Sequence, residues 1–206
     1  VAPYAFASCQ AITELKFTSV REIDMYAFYD CSSVATINFG TKLNTLRSNA
    51  FGKCVSITAI VLPDSTELIE SQAFSKCENL ESVKLGTGIL KLASRIFEDT
   101  KIYEAAEDLF YIDQWLIEVK NKEITSVTLP EGIIGLADFS FSSCTKLEKV
   151  DFKGVKYIGR AAFYRCEKLW EVAFDNSLLK IGENAFRDCT GLTDTYFQEN
   201  LTTIES

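Results

Sequence analysis

A five-residue pattern, Ala-Phe-x-x-Cys, recurs along the chain, and its spacing restricts the fold more than any other feature. It stands at Ala5-Phe6…Cys9, Ala27-Phe28…Cys31, Ala50-Phe51…Cys54, Ala73-Phe74…Cys77, Ala162-Phe163…Cys166 and Ala185-Phe186…Cys189. Ser140-Phe141…Cys144 is a close variant and Ile96-Phe97…Thr100 a degenerate one. All seven cysteines of the chain occupy the last position of the pattern. Successive last positions are separated by 22, 23, 23, 23, 44, 22 and 23 residues. The step of 44 is two repeats of 22, so the period persists where the motif fails. A fixed period in this range describes a solenoid, in which each unit buries its apolar face only by stacking on its neighbours.

Within the repeats an aliphatic residue stands three after the cysteine position, another at six, and a large apolar residue at eight, with Thr195 of the last repeat the one polar exception. Ile12, Leu15 and Phe17 begin the series, and Val34, Ile37, Phe39 and Leu80, Val83, Leu85 continue it. The last two members are two residues apart, which is strand alternation with one face in and one face out. Equivalent strands then stack as a parallel sheet with neighbours about 4.8 Å apart. A polar turn follows, marked by Pro63-Asp64 and Pro130-Glu131-Gly132, since proline cannot supply a ladder N–H and glycine permits a tight bend. A second apolar group, such as Leu43 and Leu46 or Val155 and Ile158, crosses back towards the Ala-Phe pair. The spacing of three from Phe to Cys, and of three from Cys to the next aliphatic residue, suits a short 3₁₀ or helical turn. Repeats of 22 lose their residue between strand and Phe, where length changes are tolerated.

One segment, 101–123, is irregular. It carries Tyr103, Phe110, Tyr111 and Trp115 in place of the expected Ala-Phe pair. Two β-prone runs, Leu109–Ile112 and Trp115–Val119, flank Asp113-Gln114 and read as a hairpin, projecting from the side of the solenoid. The period resumes in phase, so residues 1–206 are read as one repeat domain of about eight units.

The stretch from Ile69 to Leu85, with Ala73-Phe74-Ser75-Lys76-Cys77-Glu78-Asn79-Leu80 at its centre, resembles the BspA-like leucine-rich repeat. Ile181-Gly182-Glu183-Asn184-Ala185-Phe186-Arg187-Asp188-Cys189 does so equally. The resemblance covers nearly the whole chain. It implies an α/β-type leucine-rich repeat solenoid, right-handed and β-rich. A parallel sheet forms one face, with turns and short 3₁₀ or helical segments on the other. It also implies an extracellular or cell-surface protein that serves adhesion or protein–protein contact, and it supplies no catalytic motif and no ligand.

The totals narrow the role. Net charge is −8, with 29 acidic and 21 basic residues, which disfavours nucleic acid or an anionic membrane surface as the partner. There is no histidine, which removes the commonest general base and metal ligand. No apolar run approaches the roughly 20 residues of a membrane span. No cofactor is expected. Both ends fall in mid-repeat without a cap, so the chain is read as part of a longer protein.

The cysteines are read as a ladder of free buried thiols, with Thr100 as another small residue in the same slot. The phenylalanines are read as an internal stack. Function is sought on the outward strand positions, the fifth and seventh after each cysteine position. As a partner-binding face these comprise Glu14, Lys16, Thr36, Asn38, Ser82, Lys84, Ser126, Thr128, Lys149, Asp151, Glu171, Asp194 and Tyr196, with Ala59, Val61 and Ala173 completing the rows. The hairpin tip, Asp113, Gln114 and Trp115, is a secondary candidate. Glu171 and Asp194 fall in one column with Asp151 on the diagonal, an arrangement that raises a bound Ca²⁺ or a glycan-acting carboxylate pair as remote alternatives. The leading reading is a non-enzymatic module that binds a host or cell-surface protein, and the alternative is a spacer or stalk without its own ligand.

Overall fold

The computed structural model describes residues 1–193, 195, 197 and 199–205. The chain divides into two compact units, Val1–Ala106 and Glu107–Ser206. Each repeats the same rung, and each rung has three sides.

The first side is the strand expected from the alternation. In the first unit these strands are β1 (Glu14–Lys16), β3 (Thr36–Asn38), β5 (Ala59–Val61) and β7 (Ser82–Lys84). Pairing is parallel between β1 and β3 and between β5 and β7, with Leu15 opposite Ile37 and Ile60 opposite Val83. In the second unit β11 (Ser126–Thr128), β13 (Lys149–Asp151) and β15 (Glu171–Ala173) form a parallel sheet. The middle residue of every strand points inward and its neighbours outward. That alternation pins the register, because a slip of one residue would expose the entire apolar column.

The second side is also a sheet. The second apolar group forms two-residue strands: β2 (Glu22–Ile23), β4 (Thr45–Leu46), β6 (Leu68–Ile69) and β8 (Lys91–Leu92), which stack in parallel. The second unit repeats this with β12 (Gly135–Leu136), β14 (Tyr157–Ile158), β16 (Lys180–Ile181) and β17 (Thr203–Ile204). Repeat length changes between the two sides. β1 ends at Lys16 and β2 begins at Glu22, whereas β5 ends at Val61 and β6 begins at Leu68.

The third side, the Ala-Phe-x-x-Cys stretch, departs from the expected 3₁₀ or helical turn. Among the described residues the one helix is α1 (Lys101–Glu104). Elsewhere the stretch is a pair of tight turns with left-handed residues two before and two after each Phe, such as Tyr26 (φ 56°) and Asp30 (φ 59°), or Ala161 (φ 49°) and Arg165 (φ 61°). The hydrogen bonds give the reason. The N–H groups of Tyr26, Phe28 and Asp30 donate to Ser48, Ala50 and Gly52 of the next rung, at 3.1, 2.9 and 2.8 Å. Those of Ala27, Tyr29 and Cys31 donate back within their own turn, to Asp24, Tyr26 and Phe28. A helix would direct every N–H inward along itself and leave the next rung without donors. The left-handed residues cost roughly 1–2 kcal/mol each, and each hydrogen bond offsets about 1 kcal/mol of that.

Inside this side runs the aromatic stack. Phe6, Phe28, Phe51, Phe74 and Phe97 lie nearly parallel with centroids 5.1, 5.3, 5.5 and 6.0 Å apart. Phe141, Phe163 and Phe186 continue the pattern in the second unit at 4.7 and 5.1 Å. Strand phenylalanines meet the stack edge-on, as Phe39 does Phe51 and Phe152 does Phe163. Burying each such ring removes on the order of 150–250 Å² from water.

All seven cysteines are free, and all but Cys9 are buried. Their position has a second use beyond filling space. Cys31 Sγ donates to the carbonyl of Phe6, Cys54 to Phe28, Cys77 to Phe51, Cys166 to Phe141 and Cys189 to Phe163, at 3.0–3.2 Å. Each thiol thus ties its rung to the preceding one. Thr100 keeps a hydroxyl in that slot. It donates to Phe97 O within its own rung at 2.6 Å and accepts from Tyr103 N–H as the N-cap of α1.

The irregular segment contains the expected hairpin, β9 (Leu109–Ile112) and β10 (Trp115–Val119), antiparallel with a bulge between Leu116 and Glu118. It does not project from the side. β10 also pairs in parallel with β12, Trp115 opposite Gly135, so the hairpin is built into the second-side sheet in the order β17-β16-β14-β12-β10-β9.

Candidate functional site

The outward strand positions lie where alternation places them. In the first unit Glu14 is in register with Thr36 and Lys16 with Asn38, while Ala59 neighbours Ser82 and Val61 neighbours Lys84. All eight are exposed. Lys16 and Glu14 form an ion pair at 3.0 Å along one strand, which in water contributes about 0–1 kcal/mol. Val61 is 62% exposed, an apolar group beside Lys84.

In the second unit the columns read Ser126, Lys149, Glu171 and Thr128, Asp151, Ala173. Glu171 therefore stands directly beside Lys149, its opposite charge, and cross-strand pairs of this kind contribute about 0.2–1 kcal/mol. Trp170, immediately before Glu171, is 52% exposed, and its backbone N–H donates to Glu148 O at 3.1 Å. Asp194 and Tyr196 lie outside the described residues, and with them the Glu171–Asp194 column. Among the described residues no three acidic or cysteine side chains group so as to hold a metal ion.

The hairpin tip separates into two parts. Asp113 (φ 48°) and Gln114 are exposed at the turn, and Gln114 O accepts from Ile134 and Gly135 N–H at 2.9 and 3.3 Å. Trp115 does not present itself to a partner. It is 3% exposed and stacks on Tyr157 at 6.0 Å. Gly135 makes the room, since a Cβ there would stand 2.4 Å from the Trp115 ring. The signal in the sequence was that glycine, standing where other rungs carry Thr45, Leu68 or Lys91.

A second surface escaped the sequence reading, because the free positions of Ala-Phe-x-x-Cys gave no pattern of their own. Tyr29, Lys53, Tyr164, Arg165 and Arg187 at those positions, with Tyr4 and Tyr26 just before the motif, bring cations and aromatic rings together. In the first unit Tyr4 stacks on Tyr26 at 4.9 Å, Tyr29 meets Tyr26 edge-on, and Lys53 lies 5.4 Å from the Tyr29 centroid. In the second unit Arg165 and Arg187 lie 5.8 and 6.0 Å from the Tyr164 centroid.

The six buried cysteines are held in the thiol form. Burial pushes Cys77 up to about 12 and Cys144 and Cys189 up to about 11, and it raises Cys31, Cys54 and Cys166 in the same direction. A thiol held protonated is neither a nucleophile nor a metal ligand.

Stacked parallel strands with a period of 22 or 23, apolar inside and chemically varied outside, define a leucine-rich repeat protein. The BspA type leucine rich repeat region matches residues 1–109 and 119–206, and the chain belongs to that family. No curated protein matches its sequence. Among solved structures it is similar to the T. pallidum leucine-rich repeat protein, at 30% identity and a TM-score of 0.51, over 82% of this chain and 70% of that one. It also matches a leucine-rich cell surface protein of Faecalibacterium prausnitzii, at 23% identity, TM-score 0.47, over 97% of this chain and 51% of that one. A third match is the pneumococcal vaccine antigen PcpA, at 23% identity, TM-score 0.45, over 94% and 58%. The chain thus spans between about half and 70% of the length of these relatives.

Proposed function

We propose that this chain is a non-enzymatic protein-interaction or adhesion module, displayed outside the cell, that binds a host or cell-surface protein through the outward face of its three-residue strands. One observation carries the reading. Among the described three-residue strands every inward position is apolar, while the outward positions beside them range over Lys, Glu, Asp, Asn, Thr, Ser, Ala and Val. Stacked repeats use such a surface to meet broad, shallow partners. Exposed Trp170 and Val61 supply the apolar contact that anchors such interfaces. The net charge of −8 favours a protein partner over nucleic acid. Membership of the BspA-type family supports an extracellular or cell-surface location, and no helix among the described residues is long and apolar enough to cross a membrane.

The test is a partner screen with immobilised chain against extracellular proteins, followed by the combined variant Lys84→Ala, Lys149→Ala and Tyr196→Ala. Loss of binding of about tenfold or more to the partners found is the expected result. Unchanged binding to all of them moves the site off this face. Finding no partner favours a spacer.

A further inference from the structure

Arg47 and Arg160 are held by carboxylates. Arg47 bridges Glu22 and Glu70 at 2.5 and 2.6 Å, and Arg160 pairs with Glu183 at 3.2 Å. Arg165 and Arg187 differ. Both are exposed, and among the described residues neither forms an ion pair. Instead both guanidinium groups pack against one ring, Tyr164, at 5.8 and 6.0 Å from its centroid. The fold imposes this arrangement. Arg165 follows Tyr164 on one turn, Arg187 occupies the equivalent of Tyr164 on the next, and Arg165 N–H donates to Arg187 O at 3.0 Å.

Packing on a ring restricts a guanidinium before any ligand arrives, and cation–π attraction holds it there. The N–H groups at the guanidinium edge stay available, in the planar fork that matches a carboxylate. We propose that Tyr164, Arg165 and Arg187 form a carboxylate clamp that recognises an acidic segment of a protein partner, on a surface separate from the strand face. The charges around it select that class of ligand. Glu167, Glu183 and Asp188 surround the two arginines in sequence, and the chain carries −8 overall. A dense polyanion, such as a sulfated glycan or a nucleic acid, would lie against those carboxylates. A peptide with isolated Asp or Glu side chains engages the two forks alone.

The experiment is fluorescence anisotropy with the 206-residue chain and a short labelled peptide of alternating Glu and Gly, with the Gln–Gly peptide and a sulfated oligosaccharide as comparisons. The clamp binds the Glu peptide in preference to both, and binding weakens as salt is raised. Arg165→Gln and Arg187→Gln each weaken it about tenfold, since each removes a charge-assisted fork. Arg165→Lys and Arg187→Lys keep the charge and lose the fork, with a smaller loss. Tyr164→Leu keeps both charges and still weakens binding, which net charge alone does not explain. Lys42→Ala, on the exposed turn between β3 and β4, leaves it unchanged. Circular dichroism confirms that each variant is folded. Absence of binding at low salt, equal binding of the Gln peptide, tighter binding of the sulfated oligosaccharide, or full affinity in the Arg165→Gln/Arg187→Gln double variant overturns the proposal.

Discussion

Phe74→Ala is the sharpest test of the stacked core. Phe74 is fully buried between Phe51 and Phe97, with centroids at 5.5 and 6.0 Å and planes within 7° and 2°. Truncation empties a slot whose walls are set by rungs on both sides, so the cavity cannot collapse without breaking the hydrogen bonds of Phe74 N–H to Ile96 O and Cys77 Sγ to Phe51 O. A buried Phe→Ala change of this kind costs about 3–5 kcal/mol. Phe74→Leu keeps most of the volume and loses the two ring contacts, at about 0.5–1.5 kcal/mol for each aromatic pair. Phe6→Ala is the internal control. Phe6 is 42% exposed and stacks on one ring only, Phe28, so its loss costs about 1–2 kcal/mol. Urea unfolding followed by far-ultraviolet circular dichroism gives the three values. Phe74→Ala must cost more than Phe74→Leu, and more than Phe6→Ala. A Phe74→Ala cost below about 1 kcal/mol would refute the stacked core.

Particular contacts set further outcomes. The buried thiols ionise more readily unfolded than folded, because burial raises them from about 9 to about 11 or 12 at Cys77, Cys144 and Cys189. Their contribution is therefore whole below pH 9 and is lost as pH rises through that window, by up to about 1.4 kcal/mol per pH unit for a thiol as deeply buried as Cys77. Urea midpoints between pH 8 and pH 10 under reducing conditions should fall, and less steeply in Cys77→Ala. In native protein a thiol reagent should label Cys9 first and the six buried cysteines only on unfolding. Gly135→Ala drives a methyl into the Trp115 ring and should cost about 1–3 kcal/mol, with a changed near-ultraviolet tryptophan signal; an unchanged midpoint would place Trp115 elsewhere. Thr100→Cys restores the motif but removes the cap on Tyr103 N–H, so thermal unfolding should show a loss of about 0.5–2 kcal/mol rather than a gain.

The repeat, its phase and its core could be read from the sequence because they depend on burial, and burial repeats. Phe, Cys and the strand aliphatics recur at fixed counts, and the structure buries nearly all of them. The hairpin at Asp113-Gln114 was legible from two β-prone runs. What the sequence concealed depends on hydrogen bonding between rungs. The second sheet is made of pairs such as Thr45–Leu46, too short for alternation to show. The left-handed turns are occupied by Tyr26, Asp30 and Ala161, none of which announces positive φ as glycine does. The thiol–carbonyl bonds need an acceptor one rung away, about 25 residues earlier in the chain. The burial of Trp115 was not legible because its cover, Tyr157, lies in the next repeat but one.

The left-handed turns also decide which side chains each surface can display. A β-branched residue is a poor fit at positive φ. The sixteen positions two before and two after each Phe carry Tyr, Asn, Gln, Arg, Phe, Ala, Ser, Asp and Lys, and never Val, Ile or Thr. The strand face has no such restriction and displays Thr36, Val61 and Thr128. The two outer surfaces of one solenoid are therefore written in different alphabets. One admits stiff, branched side chains suited to flat contact at its outward positions, and the other excludes them at two positions of every rung. New binding specificities drawn from the two faces would differ in kind before any partner selected among them.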